Sequence, residues 1–151
     1  MKIKLINLLS GVAFFMLASF AFGQQHYPTD AITTDWTMFK QERGINFYVK
    51  KQDISYKEGA LPVTYVVVKL ENTTDKDAKL LYNLAVFYNK GCNNCGNSQE
   101  YRKLVEVSAH SSIEGKVENG NSPIVSLLVN PNLNNGYIPE AIAVENLILN
   151  F

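Results

Sequence analysis

The sequence predicts an all-β domain built from antiparallel strands, and three observations carry that expectation. Residues 63–70 (VTYVVVKL) and 78–88 (AKLLYNLAVFY) are dense in β-branched and aromatic side chains, which pack well on a pleated surface. Ile45, Phe47 and Val49 alternate with Asn46, Tyr48 and Lys50, as do Tyr101, Lys103, Val105 and Val107 with Arg102, Leu104 and Glu106. A period of two is that of a strand with one face toward a core. Between these runs lie short polar gaps rich in Gly, Asn, Asp and Pro, and no stretch carries a clear helical period.

The start of the chain is read separately from the fold. Lys2 and Lys4 precede an apolar run over residues 5–22, and Ala21 and Gly23 stand at −3 and −1 to a cut before Gln24. A basic start, an apolar middle and a small-residue cleavage site form a signal-peptide pattern, so residues 1–23 are expected to be removed on export. The run also approaches the lower length limit of a membrane span, which makes a retained anchor the alternative. No other apolar run is long enough, so no membrane association is expected after cleavage. Residues 24–35 (QQHYPTDAITTD) show no apolar period and read as a flexible leader, leaving 36–151 as one domain.

Within that domain each element has a local reason. Trp36 and Met38 open a short strand, and the turn at 41–44 offers Gly44 for a positive φ. The alternating strand from Ile45 follows, then a polar loop closed by Pro62, where a strand tolerates a missing N–H. Residues 63–70 and 78–88 are expected to pair as the central hairpin across the polar link 71–77 (ENTTDKD). Residues 90–99 form a loop holding both cysteines, and the strand from Tyr101 comes next. A loop over 110–122, a strand over 123–129 and a breaker at 130–137 (NPNLNNGY) follow. Residues 139–151 are expected to close the domain as a strand, although Pro139-Glu140-Ala141 could open a helix. About seven strands with turn-rich links predict a two-layer, immunoglobulin-like β-sandwich.

Charge excludes some partners. The full chain has 14 Lys and Arg against 14 Asp and Glu, and loss of Lys2 and Lys4 tips the balance slightly acidic. Such a surface gives no electrostatic reason to expect nucleic acid.

The sharpest chemical motif is Gly91-Cys92-Asn93-Asn94-Cys95-Gly96. Export to an oxidising compartment makes a Cys92–Cys95 disulfide the leading reading. A redox pair of the thioredoxin kind needs a helix behind it to lower the first thiol's pKa, and a strand is expected here instead. Zinc needs about four ligands, and only the distant His26 and His110 could join the cysteines. No metal or other cofactor is therefore expected.

His110 beside Ser111 and Ser112 suggests a nucleophile and its base, but adjacent residues on an extended chain point apart. Asp75 with Asp77, and Glu114 with Glu118, are the nearest acid pairs for carboxylate hydrolysis and sit in polar turns. Asn72-Thr73-Thr74 matches an N-glycosylation acceptor. Tyr48, Tyr88, Tyr101 and Tyr137 are candidates for an aromatic surface that stacks on a sugar or peptide.

The order Trp36, Gly44-Ile45-x-Phe47-Tyr48, Val63-x-Tyr65-Val66-x-Val68-Lys69-Leu70-x-Asn72-Thr73-Thr74, Tyr88-x-x-Gly91-Cys92-x-x-Cys95 resembles small exported proteins of Bacteroidetes-type bacteria. That resemblance implies an exported immunoglobulin-like β-sandwich and brings no activity with it. The expected function is a non-enzymatic exported binding or accessory module for a macromolecule or glycan, periplasmic or extracellular. A thiol-disulfide protein using Cys92 and Cys95 and a small carboxylate hydrolase are the alternatives.

Overall fold

A computed structural model of the chain describes residues 26–56, 58–59, 61–96, 99–117, 125–129 and 136–151. The expected signal peptide, residues 1–23, lies outside the described residues, as do 123–124 and 130–135. The strands in order are β1 (Tyr27–Pro28), β2 (Thr37–Glu42), β3 (Ile45–Ile54), β4 (Val63–Asn72) and β5 (Ala78–Tyr88), then β6 (Gly91–Asn93), β7 (Lys103–Val107), β8 (Ser112–Glu114), β9 (Val125–Val129) and β10 (Pro139–Asn150). Single 3₁₀ turns occur at Thr29–Ala31 and Gln99–Tyr101, and no α-helix occurs among the described residues.

All pairings are antiparallel and fall into two sheets. Sheet I is β2-β3-β4, with β9 and β8 pairing with successive segments of the far edge of β4. Sheet II has β5 at its centre, flanked on one side by β10 and β1 and on the other by β7 and β6. The β2–β3 link turns on Arg43 and Gly44, both with positive φ (48° and 83°), as a two-residue hairpin of primed type requires. β3 and β4 then pair without interruption from Ile45 opposite Asn72 to Ile54 opposite Val63.

The inner faces share one core. Phe39, Phe47, Val49, Val66, Val68 and Leu70 of sheet I meet Leu80, Tyr82, Leu84, Val86, Ile142 and Val144 of sheet II. Phe47 and Tyr82 touch edge to face across the layers, with ring centroids 6.0 Å apart, an arrangement that aromatic quadrupoles favour.

Two sequence expectations are corrected. Residues 63–70 and 78–88 do not pair as a hairpin: β4 belongs to sheet I and β5 to sheet II. The polar link is the corner where the chain crosses between layers. Asn72, 1% exposed, pins that corner. Its Nδ2 donates to Lys76 O (2.7 Å), Val107 O (3.1 Å) and Ser108 O (3.2 Å), while its Oδ1 accepts from Thr74 N and Oγ1. Such side-chain bonds compete with ladder pairing, and the crossing lets apolar side chains of both arms meet rather than their backbones. Thr73 also donates to Gly44 O through N (2.9 Å) and Oγ1 (2.8 Å). A Cβ on Gly44 would run into Thr74 Cγ2, so the turn and the corner can approach only with glycine there.

The second correction concerns the leader. Tyr27 and Pro28 pair with Ile142 and Ala141, Thr29 Oγ1 donates to Pro139 O (2.7 Å), and Ile32 is in the core. Lys51 N donates to Thr33 O (2.7 Å). The chain here passes from sheet II to sheet I through contacts that follow no regular repeat, and periodicity cannot register that. The fold therefore includes Tyr27 onward.

Smaller shifts follow the same logic. Gly91–Asn93, expected as loop, extends sheet II, and Ser112–Glu114 extends sheet I. Tyr101 ends a 3₁₀ turn rather than opening a strand. The closing segment is a strand as expected. Asn146, at φ 51°, lies where its register shifts between Glu145 and Ile148, the mark of a bulge.

Candidate functional site

Because Ile45, Phe47 and Val49 turn inward, Asn46, Tyr48 and Lys50 of β3 project from the outer face of sheet I. Lys69 and Glu71 of β4 do the same, and the register places Tyr48 opposite Lys69 and Asn46 opposite Glu71. Tyr48 Oη and Asn46 Nδ2 each donate to Glu71 Oε2 at 2.8 Å, and Gln41 Nε2 donates to Asn46 Oδ1 at 2.9 Å. These bonds, from Asn46 first and Tyr48 second, hold the Glu71 carboxyl below its ordinary pKa. The same hydrogen bond to Glu71 pushes the Tyr48 phenol up.

Trp36 completes the cluster. Lys50 Nζ lies 4.5 Å and Lys69 Nζ 5.4 Å from the Trp36 ring centroid, and Lys69 Nζ is also 4.5 Å from that of Tyr48. These are cation–π distances. Met38, 52% exposed, sits opposite Tyr48 on β2. Further along the outward row of β4, Tyr65 Oη lies 2.7 Å from Tyr56 Oη, and that bond raises the Tyr65 pKa to about 12. The face thus offers two fixed aromatic rings, two ammonium donors and one ionised acceptor.

The other aromatic candidates do not join it. Tyr88 and Tyr137 meet edge to face at 5.7 Å, with Lys90 Nζ 5.6 Å from the Tyr137 ring. Burial raises the Tyr88 pKa. Tyr101 lies in the 3₁₀ turn before β7. The four tyrosines therefore lie in three places, and only Tyr88 and Tyr137 come together. Sequence reading missed Trp36, Lys50, Lys69 and Glu71 as partners of Tyr48. The period-two pattern put each on a face, but the cross-strand register that gathers them was not legible.

Cys92 and Cys95 lie within disulfide distance, with Cα atoms 5.9 Å apart. The loop is anchored at Gly96, whose O accepts from Asn83 Nδ2 (2.6 Å) and Asn146 Nδ2 (2.8 Å). Gly96 N donates to Glu145 Oε2 (3.2 Å). The 3₁₀ turn and β7 follow, and among the described residues no α-helix lies behind the cysteines. Among the described residues no group of three or more His, Cys, Asp or Glu gathers as a metal site.

His110 Nε2 lies 2.7 Å from Asp75 Oδ1 on the surface, while Ser111 Oγ donates to Ser108 O. The serine is thus not directed at the histidine. Asp77 accepts from Ala109 N, so Asp75 and Asp77 serve separate bonds, and Glu118 lies outside the described residues. Asn72, the glycosylation candidate, is consumed inside the corner. No protein-family model, curated protein or solved structure matches the chain.

Proposed function

We propose that this protein is an exported, non-enzymatic binding module of immunoglobulin-like β-sandwich type that holds a glycan on the outer face of sheet I. The observation that carries the reading is the Trp36–Tyr48–Lys50–Lys69–Glu71 cluster. Aromatic rings offer an apolar body for sugar C–H groups. Lys50 and Lys69 can donate to sugar oxygens, and Glu71 can accept from sugar hydroxyls. The cluster is held by cross-strand hydrogen bonds before any ligand arrives, which lowers the ordering cost of binding. The pattern of residues 1–23 supports export, and the two-sheet architecture supports the sandwich reading.

Trp36 is the single tryptophan of the chain, so its fluorescence reports directly on this face. Titration of the purified protein with a panel of neutral and acidic polysaccharides is expected to give a saturable change in Trp36 emission for at least one. Saturable binding with no change in emission would move the site elsewhere, and no binding across the panel would remove the glycan reading.

A further inference from the structure

A second surface lies where the corner, the β2–β3 turn and the end of β10 converge. Arg43, Thr74, Lys76, Leu149, Asn150 and Phe151 line an open cleft of about 510 Å³. Two of the six are cations, and neither forms an ion pair with a described residue. Arg43 Nη1 makes one long bond to Leu149 O (3.4 Å) and lies over the Phe151 ring at 5.2 Å, which leaves donors of its five-donor fork available. Of the carboxylates adjacent in sequence to the cleft residues, Glu42 pairs with Lys40 Nζ, Asp75 with His110, and Asp77 accepts from Ala109 N.

The backbone at Arg43 is an independent observation. Both residues of this turn have positive φ, and the first position favours Asn, Asp or Gly. A short polar residue such as Asn would suit the turn better than Arg, since non-glycine residues at positive φ are uncommon and Asn is enriched among them. Turn chemistry therefore does not account for the arginine, whereas a ligand-facing charge does.

We propose that this cleft binds an organic carboxylate of about monosaccharide size. The planar Arg43 fork matches a carboxylate bidentately, and Lys76 adds a point charge. Asn150 supplies an amide, and Leu149 and Phe151 supply apolar wall. The volume lies in the range of small-molecule sites. The proposal does not depend on the glycan reading of sheet I, because Trp36 lies at the other end of β2 from Arg43.

The test is titration of the purified protein with sodium galacturonate, galactose and inorganic phosphate, followed by calorimetry and by the amide resonances of Gly44, Thr74 and Lys76. Galacturonate is expected to bind saturably and shift those resonances, with galactose inert and Trp36 emission unchanged. R43N is expected to weaken galacturonate binding about tenfold or more, with K76Q also weakening it, while the melting temperature of R43N stays at or above that of the parent. Galacturonate binding no tighter than galactose, or phosphate binding alone, would overturn the proposal. So would wild-type affinity in both R43N and K76Q. If R43N proves less stable, K76Q alone decides, and its wild-type affinity would count against the site.

Discussion

The outer faces of the two sheets are built to opposite ends. On sheet II, Ala85 and Ala143 sit opposite each other and are fully buried, and beside them Asn83 and Glu145 form the next pair, also buried. Asn83 and Glu145 bond Gly96 and so hold the cysteine loop to the strands. On sheet I the corresponding outward positions carry Tyr48, Lys50, Lys69 and Glu71, long side chains that interact with one another and stay partly accessible, over a buried Asn46. A sheet face that is finished internally uses its polar groups to hold its own chain. A face free to bind keeps rings and charges at the surface.

Both outer faces depend on the core between them, so the largest expected effect lies there. Val66→Asp would bury an unpaired charge at a fully enclosed position and abolish folding. Loss of dispersed amide resonances would show this, and a soluble variant that still unfolds cooperatively would place Val66 outside the core. The corner comes next. Asn72→Ala strips donors from three carbonyls and is expected to cost about 3 kcal/mol in denaturant unfolding. A loss below about 1 kcal/mol would mean that the crossing does not depend on this side chain.

The contrast between the faces is sharpened by Ala143→Leu. At this fully buried position of the outer face, extra methylenes are expected to cost about 2 kcal/mol. An unchanged stability would show that this face has room for a larger side chain.

A smaller effect is expected from pH on sheet I. The folded Glu71 carboxyl is held below its ordinary value of 4.5. It therefore adds stability above that value and loses it as pH falls toward the folded pKa. Glu71→Gln removes the contribution, so the melting-temperature gap between parent and variant should be wider at pH 7 than at pH 3. A gap that stays constant would show that Glu71 ionisation is not coupled to folding.

The legible and illegible parts of this chain divide by range. Strands β3, β4, β5 and β10 follow from composition and from a period of two, which are local properties. The pairing of β4 and β5 was misread because a polar link between two apolar runs fits a hairpin and a layer crossing equally well. Only the burial of Asn72 against Val107 and Ser108, some 35 residues on, separates them. Tyr27 and Ile32 are not legible as parts of the fold because their contacts follow no sequence period as the chain changes sheets. At the candidate site Tyr48 was legible as an outward aromatic. Its partners were not, because Lys69 and Glu71 reach it through the β3–β4 register and Trp36 through a side chain laid across two strands.

The proposed function assigns binding to the outer face of sheet I rather than to that of sheet II. The direct measurement compares Trp36→Ala with Leu104→Ala, an exposed apolar residue on β7 of sheet II, by calorimetric titration with the polysaccharide that changes Trp36 emission. Trp36→Ala is expected to lose about 1–3 kcal/mol of binding, as removal of a stacking ring does, while both variants keep melting temperatures near that of the parent. Loss of binding in Leu104→Ala with full binding in Trp36→Ala would contradict the account and place the site on sheet II.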